Sequence, residues 1–429
     1  MRLSVIGTGY VGLVTAACFA DMGHEVVGAD RDAERIRLLE AGRSPIYEPG
    51  LDDLIARGTR AGRLRFATET ADAVRDSDIV FITVGTPSRA AGDADVTDVA
   101  TVADAIASAL PDYRLIVEKS TVPVRTGERI REQIQLLTQG AVPFDVACNP
   151  EFTREGSAIH DFMHPDRIVL GVSNERSERL LRELYAPFDC PVLVTDLATA
   201  ELIKHASNAF LATKISFINA VAAICERVGA DVRQVADGMG YDRRIGRAFL
   251  DAGVGYGGSC FPKDVAAFIQ IAREAGYEFR LLEEVARVNE GQREALIRQL
   301  REALWVLGGR TITVLGLSFK PNTDDVRESP AITIIERLRR EGAVVRACDP
   351  VAEANARRVL PDVAYCPDPY EAARGSDALV LLTEWEEFRA LDLARLRGLM
   401  RRPVLVDGRN ALDPRAARAA GFRYAGVGR

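Results

Sequence analysis

The amino-acid sequence predicts an α/β protein in which two open parallel-sheet domains are joined by a long central helix and a helical region suited to dimerisation. A strand, glycine turn, helix and second strand occupy residues 1–30, and the same strand pattern returns after residue 310. Between them, Ala198 to about Val228 contains no Pro or Gly and carries apolar residues at helical spacing. At 429 residues the chain exceeds one ordinary core, so two or three domains are expected. The boundaries fall at 1–197, 198–305 and 306–429.

The first domain opens with apolar Leu3 to Ile6, then Gly7-Thr8-Gly9-Tyr10-Val11-Gly12, a helix from Leu13 to Met22 and a strand from Glu25 to Asp30. The first glycine permits the tight turn, the second lets backbone approach a pyrophosphate, and the third lets helix pack on strand. The anion then rests on the helix N-terminus. Asp30 follows Gly12 by 18 residues, where its carboxylate would accept from ribose hydroxyls and repel a 2′-phosphate. NAD is therefore expected as cofactor in preference to NADP, with Arg31 a modest counterweight because an arginine there can accommodate that phosphate. A purely structural glycine turn is the alternative.

Strands at Ile79–Val84, Leu115–Glu118, Val146–Cys148 and Ile168–Gly171 alternate with helices at Asp98–Leu110 and Arg125–Leu137, the rhythm of a parallel sheet covered by helices. Ligands in such Rossmann-like sheets lie at the carboxyl ends of strands, which here carry Gly85-Thr86-Pro87, Ser120-Thr121 and Asn149-Pro150-Glu151. On the central helix, roughly 45 Å long if it holds about 30 residues, Lys204 and Asn208 stand four apart and share a face. Solvated polar positions would show the same spacing.

A helical stretch from Leu281 to Leu307 leads to the second domain. Thr311–Gly316 mirrors Leu3–Gly7, Ala343–Asp349 mirrors Glu25–Asp30, Ser376–Leu382 mirrors Ser77–Ile82, and Pro403–Asp407 is a fourth strand. Its first turn reads Gly316-Leu-Ser-Phe-Lys320-Pro and lacks the three glycines, so a phosphate-bearing ligand other than a dinucleotide is expected, with Lys320, Arg327 and Arg409 supplying charge. Between the domains lies Gly255-Tyr-Gly-Gly-Ser-Cys260-Phe-Pro-Lys263-Asp264. Pro262 suits the first turn of a helix, which places Cys260 at a helix N-terminus where partial positive charge favours thiolate. Asp264 would share its face. The rival reading is a buried cysteine beside a turn.

Composition excludes other classes. A net charge of −7 offers no basic surface for nucleic acid or anionic membrane. No apolar run reaches the roughly 18 to 20 residues of a membrane helix, and the first strand begins at once, leaving no room for a signal peptide, so a cytoplasmic protein is expected. Seven widely spaced cysteines without a C-x-x-C pair, and four histidines without ligand spacing, suggest neither a disulfide framework nor a metal site.

The motifs together resemble the UDP-glucose and GDP-mannose dehydrogenase family. The resemblance runs through residues 5–12, Ser-Pro-Ile-Tyr-Glu-Pro-Gly-Leu at 44–51, Glu-Lys-Ser-Thr-Val-Pro-Val at 118–124, Asn-Pro-Glu-Phe at 149–152 with Glu155-Gly156, Lys204 to Lys214, Arg244-Ile-Gly, the Cys260 segment, Gly316 to Lys320 and Asp325-Val-Arg327-Glu-Ser. It implies a four-electron oxidation of a sugar C6 alcohol with two hydride transfers to NAD. Cys260 would form a thiohemiacetal and then a thioester that water hydrolyses. Lys204 would stabilise the oxyanion, Asn208 and Asp264 would orient it and a water, and Thr121 and Glu155 would lie near that water. Glu151 is the first choice of general base and Glu155 the second.

Carried over in the same way, Gly7, Gly9, Tyr10, Val11, Gly12, Asp30, Arg35, Thr86, Thr121, Glu155, Lys263 and Arg327 would touch NAD. Substrate contacts would be Glu151, Phe152, Glu155, Lys204, Asn208, Phe249, Leu250, Gly253, Gly257, Lys320 and Arg409, with Arg244 reaching in from a neighbouring subunit of a homodimer or larger assembly. His205 stands where many members carry Tyr, and Arg35 where bacterial relatives often carry Lys. Phe261 after the cysteine resembles the UDP-glucose branch, whereas the GDP-mannose branch tends to leucine there and the UDP-N-acetylmannosamine enzymes to a histidine in place of Ser259. A two-electron hydroxyacid dehydrogenase and an NAD-sensing binding protein are the rival classes. The hydroxyacid dehydrogenases lack a nucleophilic cysteine and are told apart by counting NADH per sugar, while the intact set Thr121, Glu151, Lys204, Asn208, Cys260 and Asp264 argues against the binding protein.

Overall fold

Apolar runs of four or five residues, too short for helices and rich in Val, Ile and Leu, make the central strands of two sheets. In the computed structural model, which describes residues 1–89 and 92–429, they fall into two units: Met1–Ser207 with Ala266–Gly276, and Asn208–Val265 with Tyr277–Arg429.

The first unit holds β1 (Arg2–Ile6), β2 (Glu25–Ala29), β3 (Leu64–Ala67), β4 (Ile79–Ile82), β5 (Arg114–Glu118), β6 (Phe144–Cys148), β7 (Ile168–Gly171) and β8 (Val192–Thr195). Their order is β3-β2-β1-β4-β5-β6-β7-β8. Pairing is parallel except where β6 meets β7 through Cys148 and Gly171. Every residue of β4 and β5 is buried, as expected of strands with helices on both faces. Leu3, Val5, Phe19, Phe81 and Leu115 fill one face, and Ile6, Val80, Ile82, Ile106 and Ile116 the other. Ile6 pairs with both Ala29 and Ile82, so the turns leaving β1, β2 and β4 emerge level where the strand order reverses. That crevice is where a ligand binds in an open sheet.

The second unit contains β9 (Thr311–Leu315), β10 (Val344–Cys348), β11 (Ala364–Tyr365), β12 (Ala378–Leu381), β13 (Val404–Asp407) and β14 (Arg423–Gly426), all parallel, in the order β11-β10-β9-β12-β13-β14. Here too the order reverses beside the first strand. Asp349, the counterpart of Asp30, turns its carboxylate onto the Leu317 and Ser318 amides and the Trp385 indole. Its acceptors hold the turn itself together.

Helix Leu197–Val228 contributes its first turns to one unit and the remainder to the other. By length and composition it could cross a membrane. Its buried positions nevertheless include Glu201, Lys204, His205, Asn208, Ser216 and Asn219. Each bonds to neighbouring protein groups, the pattern of a core helix. Phe210, Phe217, Ile224 and Val228 lie exposed along it.

Candidate active site

In the first unit, the glycine turn admits no side chain at two of its positions. Gly7 has φ +100° and a Cβ there would lie 2.9 Å from the Thr83 carbonyl oxygen, while a Cβ on Gly12 would lie 1.8 Å from the Gly7 oxygen. Gly9 is the N-cap of helix Tyr10–Asp21, with open space around it. The N-cap glycine has no side chain and the first turn carries no acid, so the helix dipole there favours a ligand anion. Asp30 accepts from the Thr8 amide at 2.8 Å and the Thr8 hydroxyl at 2.9 Å. Arg35 donates to the Thr8 carbonyl at 3.1 Å and stands 3.8 Å from Asp30. Arg31 is paired with Asp98. This cradle fits a dinucleotide: bare glycine backbone for the pyrophosphate, with Asp30 closing β2 for the ribose.

The β4 and β5 ends are tied together by the Thr86 hydroxyl, which donates to the Thr121 carbonyl at 2.8 Å. The central helix holds the same loop from below. His205 Nε2 donates to the Val122 carbonyl at 2.7 Å, and Glu201 accepts from the Arg125 and Gly127 amides. Burial pushes Glu201 up to about 7 even though those two amides pull the other way. His205, in the position where tyrosine was the expectation, also packs on Phe268 with ring centroids 6.0 Å apart.

Lys204 and Glu151 form a buried ion pair at 3.0 Å. Burial alone would raise the Glu151 pKa, but the Lys204 charge and the Thr153 hydrogen bonds outweigh it and hold the carboxylate below its ordinary range. Lys119 packs behind this pair, donating to Asn149 Oδ1 at 2.9 Å. Burial brings its pKa down to about 8.

The loop after β6 is braced by three carboxylates accepting from its main chain. Glu151 takes the Thr153 amide, Asp161 the Arg154 amide, and Glu48 the Gly156 and Ala158 amides at 2.6 and 2.8 Å. Phe152 lies under Lys204 and the Arg167 guanidinium, and half-buried Glu155 sits at the crest of the turn.

In the second unit, Cys260 immediately precedes helix Phe261–Glu274, with Pro262 as its second residue. The thiol is half-buried and lies 3.5 Å from the Ser259 hydroxyl. One turn into that helix, buried Asp264 accepts from Asn208 Nδ2 at 2.6 Å and from Lys263 Nζ at 2.7 Å. Thus Asn208, Lys263 and Asp264 form one charged cluster. Phe261 packs between Phe249 and Tyr256, and Phe249 holds φ +64° at the start of the predicted substrate segment. Leu250 and Gly253 are buried beside it, and Gly253 donates to Asn219. Gly257 lies against the Glu328 carbonyl, where a Cβ would come within 2.3 Å of the oxygen.

The arginines and Lys320 are placed less uniformly. Arg327 pairs with Asp325. Lys320 lies 5.4 Å from the Phe319 ring centroid. Arg409 donates to the carbonyls of Leu382, Gly255 and Phe319, so its donors fasten the Cys260 approach to the β12 and β9 ends. Arg244 is highly exposed and, among the described residues, paired with Asp242.

Sequence reasoning passed over Glu48, Lys119 and Glu201. Glu48 and Lys119 lie inside strings that signal the resemblance, but nothing in their spacing tells which main-chain groups they hold. Glu201 is a carboxylate on an apolar helix face, and that incongruity was the signal available.

An anion cradle at the switch point of one open sheet, a second open sheet without the cradle, and a thiol seated on a helix N-terminus make this chain an NAD-dependent dehydrogenase. Models of the UDP-glucose/GDP-mannose dehydrogenase family match it along its length: the NAD binding domain over residues 1–189, the central domain over 198–291 and the UDP binding domain over 313–414. The chain belongs to that family. It is 50% identical over 429 residues to a UDP-glucose 6-dehydrogenase of Bacillus subtilis, covering 100% of this chain and 93% of the relative. It is 49% identical over 436 residues to a UDP-glucose 6-dehydrogenase of Rhizobium meliloti, covering all of both. Among solved structures, a UDP-glucose dehydrogenase from Pyrobaculum islandicum superposes with a TM-score of 0.94 at 44% identity, covering 99% of this chain and 97% of that one.

Proposed function

We propose that this chain oxidises UDP-glucose at C6 to UDP-glucuronate in two successive oxidations, through a covalent intermediate on Cys260. The observation that carries the covalent step is the seating of Cys260 ahead of helix Phe261–Glu274, where the dipole favours thiolate. The choice of UDP-glucose is supported by the named activity of relatives about half identical over the whole chain. Gly7 to Gly12, Asp30, Arg35 and Thr86 would hold NAD, which would accept one hydride in each oxidation, so that two NAD are reduced in turn at one site, the second as the thiohemiacetal becomes the thioester.

The Cys260 thiolate adds to the aldehyde carbon, forming a carbon–sulfur bond and placing negative charge on the former carbonyl oxygen. Lys204 is assigned to stabilise that oxyanion. The Glu151 carboxylate, 3.0 Å from Lys204 Nζ, is its buried counter-charge. Capture of the aldehyde splits a four-electron oxidation into repeatable steps and prevents its escape. In the last step water adds to the thioester, the carbon–sulfur bond breaks, and thiolate leaves. Glu151 is the proposed base for that water, being ionised by its surroundings, with Glu155 second and Thr121, Asn208 and Asp264 as orienting groups.

The functional division proposed is an NAD part at 1–197, a central part at 198–305 carrying Lys204, Asn208 and Cys260, and a nucleotide-sugar part at 306–429. Phe210, Phe217 and Ile224, spaced by seven along the central helix and exposed, support a homodimer. A dimer would also give the exposed Arg244 a substrate to reach. All seven cysteines are free thiols, which suits work in the cytoplasm.

The test is NADH production with UDP-glucose, GDP-mannose and UDP-N-acetylmannosamine side by side. UDP-glucose should be preferred by kcat/KM. Preference for either of the others reassigns the substrate.

A further inference from the structure

The buried stripe of helix Arg280–Leu304 runs Leu282, Val285, Asn289, Leu296, Ile297, Leu300 and Leu304. Six of those seven positions are aliphatic, and the seventh is an amide that is only 4% exposed. Burying an amide is costly unless both its ends are bonded. Asn289 spends both on one residue: Oδ1 accepts from the Tyr256 amide at 2.8 Å, and Nδ2 donates to the Tyr256 carbonyl at 3.1 Å. The side chain thus pairs with both main-chain groups of a single residue, as a neighbouring strand would.

The segment it grips is the approach to Cys260. Gly255 has φ +95°, and a Cβ there would lie 2.5 Å from Asn289 Oδ1. The Gly255 carbonyl is taken by Arg409 at 3.2 Å, and the Gly258 amide by the Arg327 carbonyl at 3.0 Å. Gly258 is pressed against the Phe319 ring, where a Cβ would approach to 2.7 Å. These bonds hold the main chain from Gly255 to Gly258, and two residues later the chain reaches the thiol. Two side chains serve among these anchors. Arg409 divides its donors among three carbonyls, whereas among the described residues the amide of Asn289 bonds to Tyr256 alone.

We propose that Asn289 is a positioning residue for Cys260: its amide fixes the Tyr256 peptide, and through residues 257–259 it fixes where the thiol stands at the start of its helix. The assignment rests on Cys260 being the nucleophile. Asn289 itself touches no reacting atom. It acts by holding the sulfur to the narrow geometry that bond formation needs, for which a displacement of about 1 Å costs on the order of 100-fold in rate.

The experiment uses the full-length enzyme and Asn289→Asp, which keeps the shape and one acceptor but can no longer donate to the Tyr256 carbonyl. Three quantities are read: kcat and KM with UDP-glucose and NAD, the rate of Cys260 alkylation by iodoacetamide against pH followed on the Cys260 peptide, and thermal unfolding. The expected result is a kcat lower by about 100-fold, an unchanged KM for NAD, and an alkylation profile displaced from that of the parent protein. Where Asn289→Asp does not accumulate as folded protein, Asn289→Ser, too short to pair with Tyr256, is read in the same way. A folded variant with parental kcat and parental alkylation profile overturns the proposal. So does a loss of kcat that comes only with a raised KM for NAD and a lowered unfolding temperature, the alkylation profile staying parental, because that is the signature of general destabilisation. Failure of the parent enzyme to reduce NAD with any nucleotide sugar would overturn the proposed function instead, while the alkylation comparison would still decide the role of Asn289.

Discussion

Replacing Glu48 with alanine removes a carboxylate that is only 6% exposed and that accepts from the Gly156 and Ala158 amides at 2.6 and 2.8 Å. Hydrogen bonds to a charged acceptor contribute roughly 1.5–3 kcal/mol each, and unsatisfied buried amides cost in the same range. The two lost here should lower stability by about 3–5 kcal/mol. At roughly 2–4 °C per kcal/mol for a domain of this class, the unfolding temperature of the first unit should fall by about 10 °C. Glu48→Gln keeps one acceptor and should lose about half as much. Because Glu48 braces the turn that carries Glu155, the KM for UDP-glucose should rise by about tenfold, equivalent to some 1.4 kcal/mol of binding. Differential scanning calorimetry and initial rates with varied UDP-glucose measure both effects. Parental unfolding temperature and KM in Glu48→Ala would refute the reasoning, since both amides bond to the Glu48 carboxylate.

Lys204→Ala leaves Glu151 buried without its partner and should cost about 3–5 kcal/mol, much of it recovered in the double variant Lys204→Met/Glu151→Leu, with denaturant titration as the measure. The folded pKa of Glu151 is depressed, so the stability it contributes is present above its unfolded pKa and lost as pH falls through the folded one; in Lys204→Ala the acid limit of stability should move to higher pH. Glu201 is the opposite case. Its folded pKa is raised to about 7, so its contribution is complete below about pH 4.5 and declines by up to about 3 kcal/mol as pH rises to 7, and Glu201→Gln should flatten stability measured across that window. Asp30→Ser should raise the KM for NAD by at least about tenfold, by losing a ribose acceptor and loosening the Thr8 turn, and should narrow the preference for NAD over NADP in paired kinetic assays.

The sequence shows the central strands of both sheets and conceals their edges. β4, β5, β12 and β13 are buried on both faces and stand out as short apolar runs, and β1 and β9 are nearly so, each with one small hydroxyl residue, Ser4 or Thr313, buried within it. The strands that went unseen are β3, β8, β11 and β14, which are the four edges. There one face meets solvent, and short runs such as Leu64-Arg-Phe-Ala and Val192-Leu-Val-Thr carry too little pattern to be told from loop. The dinucleotide turn was legible because glycine at three fixed places is a steric requirement. The pairing of Asn208 with Asp264 could be anticipated only as two residues of interest, since their partnership depends on how two helices pack. Glu48, Glu201 and Asn289 were illegible for a further reason: each serves main-chain amides or carbonyls, and a backbone group leaves no mark in sequence. Arg409, expected as substrate-binding charge at a strand end, also donates to three main-chain carbonyls, a use its place in the sequence does not reveal.

The claim at the centre of this account is that one thiol carries the sugar between two oxidations at a single cofactor site. It is tested most directly by counting NADH formed per UDP-glucose consumed, with the parent enzyme and with Cys260→Ser. The account predicts two NADH for each UDP-glucuronate released by the parent, and for Cys260→Ser a turnover that stalls before the carboxylate is made. One NADH per sugar from the parent, or full turnover to UDP-glucuronate by the serine variant, would contradict it.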